Sequence, residues 1–325
     1  MQESTPGSRL LPHLGFVIVY VLWGINICSM KFGGQQWDPL VFGALRYASI
    51  LPFLWAYTWW YYRKHRGRLK LQIAPRDLLL IALLGVVSAV GMEVVLQYAL
   101  QYSNSANGAV LGRGFMPVIT ACIALLLKDL RLTPSVMVGI PLALGSVILI
   151  VAGGPEGFHL GPESLRGDLL LLLRSFLGAL YLIGMNKLVG RYPLTLLVSL
   201  EMTAGALALL PFLFLNADLG YLLSRSDLAW LSLAYTALFA TLIGFSIHNW
   251  SLARLGPFKA SVYGYLLPVT AAAAGYVLLG EELGWNQYLG GAGVLFAMYL
   301  VQRDRMQLLK ASVSAPAAAG TDKPA

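Results

Sequence analysis

Long apolar runs alternate with short polar loops along almost the whole chain, and ten of the runs approach the length of about 20 residues that a helix needs to cross bilayer hydrocarbon. The pattern predicts helical spans at 12–32, 38–62, 77–99, 106–127, 134–153, 167–189, 194–215, 228–250, 258–279 and 286–302. The loops between them alternate in charge. One set gathers Arg63, Lys64, Arg66, Arg68, Lys70 and Arg76, then Lys128, Arg131, Lys187, Arg191, Arg254 and Lys259, with Arg9 and Arg303 at the two ends. The other set holds only Lys31, Arg166 and Arg225. Basic loops stay on the cytoplasmic side during insertion. Both termini are therefore expected in the cytoplasm, on a multi-pass protein of the inner or plasma membrane.

Composition narrows the classes further. Only 12% of residues are charged and 58% are apolar, against about 25% charged in a soluble domain. The formal charge of +8 sits in short loops beside apolar spans, which is a topology signal, so no nucleic-acid partner is expected. Cys28 and Cys122 lie in different spans with no histidine or second cysteine at ligand spacing, which points to packing and to no metal, cofactor or disulfide. The first span is long and lacks a small-residue cleavage site, so it reads as a retained helix. His13, His65, His159 and His248 are dispersed, and no nucleophile-and-base arrangement surrounds them, so the chain is not expected to be an enzyme. A nucleotide-binding glycine loop is also missing, which argues against direct drive by ATP.

The chain repeats itself at an offset of about 150 to 155 residues. Asp77 answers Asp227, Pro39 answers Pro193, and Met116-Pro117-Val118 answers Leu267-Pro268-Val269. Each unit holds five spans, and an odd number forces the halves into opposite orientations, as in secondary transporters. The expected fold is all-α: ten transmembrane helices built as two inverted five-helix repeats around a central cavity. The expected boundaries are a cytoplasmic N-terminus at 1–11, a first repeat at 12–153, an outer connection at 154–166, a second repeat at 167–303 and a disordered cytoplasmic tail at 304–325.

Three stretches resemble a known family. Leu22-Trp23-Gly24-Ile25-Asn26, Phe42-Gly43-Ala44-Leu45-Arg46-Tyr47, and Leu267-Pro268-Val269 followed by Leu279-Gly280-Glu281-Glu282 are similar to the drug/metabolite transporter superfamily, EamA type. The resemblance covers roughly residues 12–303. It implies ten helices around a central cavity and export of amino acids or other small metabolites. The halves differ at one point. Lys128-Asp129-Leu130-Arg131 stands where the second half has Gly280-Glu281-Glu282-Leu283, so the acidic ending occurs once and is given no transport role.

Ionisable groups in hydrocarbon are costly and face a cavity or a partner. Arg46, Glu93, Arg113, Arg174 and Glu201 fall inside spans. Glu93 and Arg113 each lie ten residues from the hairpin turn near Ser103, about 15 Å deep at 1.5 Å per residue, so they can pair near the midplane. The pair is either a structural clip or a substrate contact. Gln97 shares a helix face with Glu93, and His248 and Asn249 sit opposite it at the repeat offset. Arg113 answers Gly264, flanked by Tyr263 and Tyr265; Trp23, Asn26 and Tyr181 complete the substrate-binding candidates. An arginine fork suits a carboxylate and aromatic faces suit an apolar or cationic side group, a combination that fits an amphipathic metabolite.

Several residues keep a plainer reading. His248 can be a core histidine, and Trp23 can simply pack. Tyr57, Trp59, Trp60, Tyr61 and Tyr62 form an interfacial belt. Arg46 and Glu201, at nearly equivalent repeat positions, are read as structural or gating groups, and Arg174 as lying near the outer surface. Glu93 or His248 could carry a coupling proton, and Pro117 and Pro268 are candidate bending points for alternating access. Gly290, Gly291 and Gly293, with Gly139 and Gly145, read as close helix packing or a homodimer face. An uncoupled channel or pore and a non-transporting scaffold are the competing classes.

Overall fold

The computed structural model describes residues 6–64, 72–126, 133–151, 153–154, 157–158 and 162–300. The Lys128–Arg131 segment, the tail from 304 and Arg66 to Lys70 of the most basic loop lie outside the described residues. Apart from one ladder of two two-residue strands, Gly153–Gly154 and Gly157–Phe158, the described chain is helical. The helices are α1 (Pro6–Gln36), α2 (Pro39–Lys64), α3 (Pro75–Leu100), α4 (Ser105–Leu126), α5 (Pro134–Val151), α6 (Pro162–Asn186), α7 (Leu194–Asn216), the short α8 (Leu219–Leu223), α9 (Asp227–Tyr263), α10 (Leu266–Leu279) and α11 (285–300). Seven of them, α1 to α4, α6, α7 and α9, are long and apolar enough to cross a membrane. Segments Pro134–Ile150 and Leu266–Leu279 are apolar but shorter.

Local chemistry sets the starts. Pro39, Pro75, Pro134 and Pro162 each open a helix, where the missing N–H costs nothing and the fixed φ already suits the turn. Asn104 caps α4 by accepting from Asn107 N at 2.7 Å, and Ser226 caps α9 by accepting from Ala229 N at 3.2 Å. The largest core cluster joins Phe16, Tyr20, Ile27 and Met30 of α1 to Leu96, Leu111, Leu171 and Ala271 of other helices. Leu79, Leu126, Phe214, Leu215 and Val277 point outward and are highly exposed, the arrangement expected where lipid replaces water.

With no water to expel, helices in lipid associate through close contact, and small residues set the crossings. A Cβ on Gly24 of α1 would meet the backbone carbon of Thr270 in α10 at 2.7 Å, where the Thr270 hydroxyl donates to Tyr20 O at 2.8 Å. Gly85 of α3 and Gly205 of α7 meet in the same way. Gly24→Val is therefore expected to lower stability by about 1–3 kcal/mol through forced separation of α1 and α10, measured as the unfolding midpoint in detergent; an unchanged midpoint would show that the crossing is slack. Gly290 and Gly293 are spent on an intrachain crossing, since a Cβ at either would run into Ser146 of α5. For these two glycines the packing alternative is the one observed, α11 on α5, whereas a Cβ on Gly145 would meet nothing within 4 Å.

Three helices contain π segments, which admit an extra residue per turn: Val87–Val94 in α3, Val110–Gly114 in α4 and Tyr235–Ile243 in α9. None was visible in the apolar pattern. Pro117 and Pro268 each deprive the carbonyl four residues back, that of Arg113 or Gly264, of its helical donor. The chain adjusts beside both. Phe115 N donates to Val110 O at 2.9 Å, and Leu267 N takes over Gly264 O at 3.1 Å.

Candidate functional site

The π segment of α3 carries Glu93, and three guanidinium groups converge on its carboxylate. Arg46 of α2 donates from Nη1 to Glu93 Oε2 at 2.8 Å. Arg174 of α6 donates from Nη2 to Oε1 at 3.3 Å, and Arg113 Nη2 of α4 stands 3.7 Å from the same oxygen. The expected pairing of Glu93 with Arg113 is thus its weakest contact. Arg174, which its nearness to the outer end of its span left without an assigned role, is 2% exposed. That side chain reaches inward to donate to Met92 O at 3.1 Å and to Gly112 O as well.

The three arginines are not equally satisfied. Arg46 also donates from Nη2 to Thr241 Oγ1 at 3.1 Å, and Thr241 in turn donates to Thr236 O at 2.8 Å. Arg46 therefore ties the π segment of α3 to that of α9. Arg174 is occupied by two carbonyls and the carboxylate. Arg113 is 31% exposed, its Nε is buried with no hydrogen-bond partner among the described residues, and its guanidinium faces the Trp23 ring at 5.9 Å. One carboxylate against three guanidiniums leaves two positive charges unbalanced in a low-dielectric setting, where lone charges are heavily penalised. The arrangement is suited to receiving an anionic group at Arg113.

Around Arg113 the residues from α1 form an aromatic wall. Trp23 packs on Tyr20 (5.5 Å between centroids), Phe245 (5.5 Å) and His248 (5.1 Å), and its indole N–H is used on Ala240 O at 2.9 Å. His248 is further enclosed by Phe16 at 5.5 Å. Tyr263 stacks on Phe16 at 5.3 Å and its hydroxyl meets His13 Nδ1 at 2.8 Å. Asn26 lies near Arg46, both contacting Met30 Sδ. Tyr265 is half-buried just before α10.

Other sequence candidates fall elsewhere. Gln97 is buried, with its Nε2 lacking a partner among the described residues; of the two polar residues expected opposite it, Asn249 is exposed and His248 packs against Phe16 and Trp23. One residue of helical rotation separates Asn249 from His248, and only the latter turns inward. Tyr181 donates to Glu201 Oε2 at 2.8 Å in a separate contact between α6 and α7, and Arg46 has Glu93 rather than Glu201 as its acid. Reasoning from single hairpins missed Thr241 and undervalued Arg174. The available signal was the surplus of arginines over acids inside the spans, which requires one acid to serve several cations.

Two latches flank the cluster. Lys31 donates to Glu281 Oε1 at 2.6 Å and to Ser103 O at 2.9 Å, while Glu281 Oε2 accepts from Ser105 N at 2.9 Å. On Asp77, Arg191 closes at 2.6 Å and the Tyr192 hydroxyl donates at 2.6 Å. Glu281 thus has a structural partner, although it was given no transport role.

Residues 10–152 and again residues 165–303 match the EamA-like transporter family. The chain belongs to that family. In this EamA-like protein the buried cluster draws on both matched regions, Arg46, Glu93 and Arg113 from the first and Arg174 and Thr241 from the second. Its similarity to an uncharacterised transporter of Archaeoglobus fulgidus is 22% identity over 91% of this chain and 98% of the relative. A probable amino-acid metabolite efflux pump of Salmonella typhimurium is 25% identical over 87% of this chain and 92% of its own. The uncharacterised inner membrane transporter YedA of Escherichia coli K12 is 27% identical over 90% and 91%. A solved crystal structure shares the fold with a TM-score of 0.58 at 16% identity, covering 92% of this chain and 99% of its own. The EamA-like protein is therefore a multi-pass membrane transporter.

Proposed function

We propose that this transporter is a secondary-active exporter of amino acids or similar small amphipathic metabolites, working by alternating access between two inverted five-helix halves with both termini in the cytoplasm. The observation that carries this reading is the buried Glu93 cluster, to which both family-matched regions contribute. The π segments in α3 and α9, and the proline-relaxed carbonyls of Arg113 and Gly264, recur at the repeat offset and support the two-fold plan. Lys31 with Glu281 and Asp77 with Arg191 then act as the outer and inner closures. Export, as opposed to uptake, follows the efflux name of the Salmonella relative.

Proton coupling is assigned to Glu201. Glu93 serves as counter-charge to three arginines, whereas Glu201 is buried and, among the described residues, pairs with no cation, meeting the neutral hydroxyls of Tyr181 and Ser88. A carboxyl group so placed can take up a proton from one side, stay neutral while the site is closed, and release the proton when the other side opens.

The test is counterflow in proteoliposomes loaded with a panel of amino acids and metabolites. Labelled solute is expected to accumulate against its unlabelled counterpart. With Cys28 and Cys122 replaced by alanine, Lys31→Cys and Glu281→Cys joined by a short bis-methanethiosulfonate linker, each arm forming a disulfide with loss of methanesulfinate, should abolish counterflow, and reduction should restore it. Currents far above carrier turnover would instead indicate a channel, and unaltered flux through the linked protein would remove the outer latch from the cycle.

A further inference from the structure

We propose that the solute held at Arg113 is a net organic anion, a carboxylate on an apolar or aromatic body with no free ammonium group. This rests on the transport reading above and, within it, selects amphipathic metabolites without an amino group over the amino acids themselves.

Charge balance is the first argument. The cluster carries three guanidiniums and one carboxylate, and Glu93 has no oxygen to spare: Oε2 accepts from Arg46 at 2.8 Å, while Oε1 accepts from Arg174 at 3.3 Å and faces Arg113 at 3.7 Å. An incoming carboxylate supplies the missing negative charge. An ammonium brought in beside it would face three cations and find no acid to bind. The other buried acids are taken elsewhere: Glu281 by Lys31 and Ser105, Asp168 by Ser103 and Asn107, and Glu201 by Tyr181.

Geometry is the second argument. Of the three arginines, Arg113 is the most exposed, and its Nε has no partner among the described residues. It retains the donors for a two-pronged hold on a carboxylate. The Trp23 ring lies 5.9 Å from the same guanidinium, and because its indole N–H is bonded to Ala240 O, it offers a ligand only its ring surface. Tyr20 and His248 extend that surface. The site therefore presents an anion fork next to an aromatic wall and, among the described residues, no free carboxylate for an ammonium; its unpartnered acceptor, Asn26 Oδ1, is neutral.

The experiment compares labelled phenylalanine, N-acetylphenylalanine and phenethylamine, which share one aromatic body as zwitterion, anion and cation, in counterflow with the full chain. N-acetylphenylalanine is expected to exchange at least about tenfold faster than phenylalanine, with phenethylamine not carried, and the advantage should vanish in Arg113→Ala. Arg113→Lys keeps the charge but not the fork and should fall between the two. Phenylalanine exchanging as fast as its acetyl derivative would overturn the anion assignment and leave the transporter reading standing. If no compound is exchanged, that reading fails, and thermal stabilisation of the solubilised protein decides the anion site. Stabilisation by N-acetylphenylalanine in wild type but not in Arg113→Ala supports it, and equal stabilisation in both, or none in either, overturns it.

Discussion

Glu93→Gln is expected to destabilise the folded protein by about 3–5 kcal/mol, the cost of removing one partner from a buried ionic cluster. The amide has the shape of the acid, so packing is conserved and the change is one of charge. Arg46 loses its acceptor at 2.8 Å, Arg174 the one at 3.3 Å, and three guanidiniums are left without a counter-ion. The unfolding midpoint in detergent reports the loss. Adding Arg113→Met lowers the excess charge again, and because Arg113 has invested least in protein contacts, the double variant should regain about 1 kcal/mol relative to Glu93→Gln alone. Strict additivity of the two substitutions, or a wild-type midpoint for Glu93→Gln, would show that the arginines are neutralised by some group other than Glu93.

Glu201→Gln should separate coupling from exchange. A one-proton antiporter with its vesicle lumen one pH unit more acidic than the bath can accumulate solute about tenfold, since proton exit drives solute entry. With a glutamine at 201 there is no proton to carry, so that accumulation is expected to disappear while counterflow, which needs no net proton movement, continues. Glu201→Asp should keep part of the gradient-driven uptake. A merely structural Glu201 would lower both activities together, and gradient-driven uptake persisting in Glu201→Gln would move the proton to another group, with His248 the next to examine. Tyr181→Phe, which deletes the hydroxyl 2.8 Å from Glu201, offers a milder version of the same comparison.

Much of the fold was legible in one dimension because lipid imposes a simple condition. Every backbone polar group must be satisfied within a helix, so length and apolarity mark the spans directly. The observed helices Pro39–Lys64, Ser105–Leu126 and Leu194–Asn216 lie within two residues at each end of the expected 38–62, 106–127 and 194–215. Depth along a hairpin was legible too, which is why Glu93 and Arg113 were brought to one level. Depth says nothing about which face a side chain occupies, and Asn249, one residue from His248, shows the difference.

By itself, then, the sequence determined that the chain is a helical membrane protein of the EamA-like kind and which charges lie deep within it, since hydropathy and helical rise are local properties. Only the tertiary structure decided that Glu93 answers to Arg46 and Arg174 before Arg113, that Thr241 completes the cluster, and that Tyr181 belongs to Glu201. Those choices depend on rotation of each helix about its axis. The π segments shift that rotation by inserting a residue into a turn, and neighbouring helices fix it through crossings such as Gly24 on Thr270.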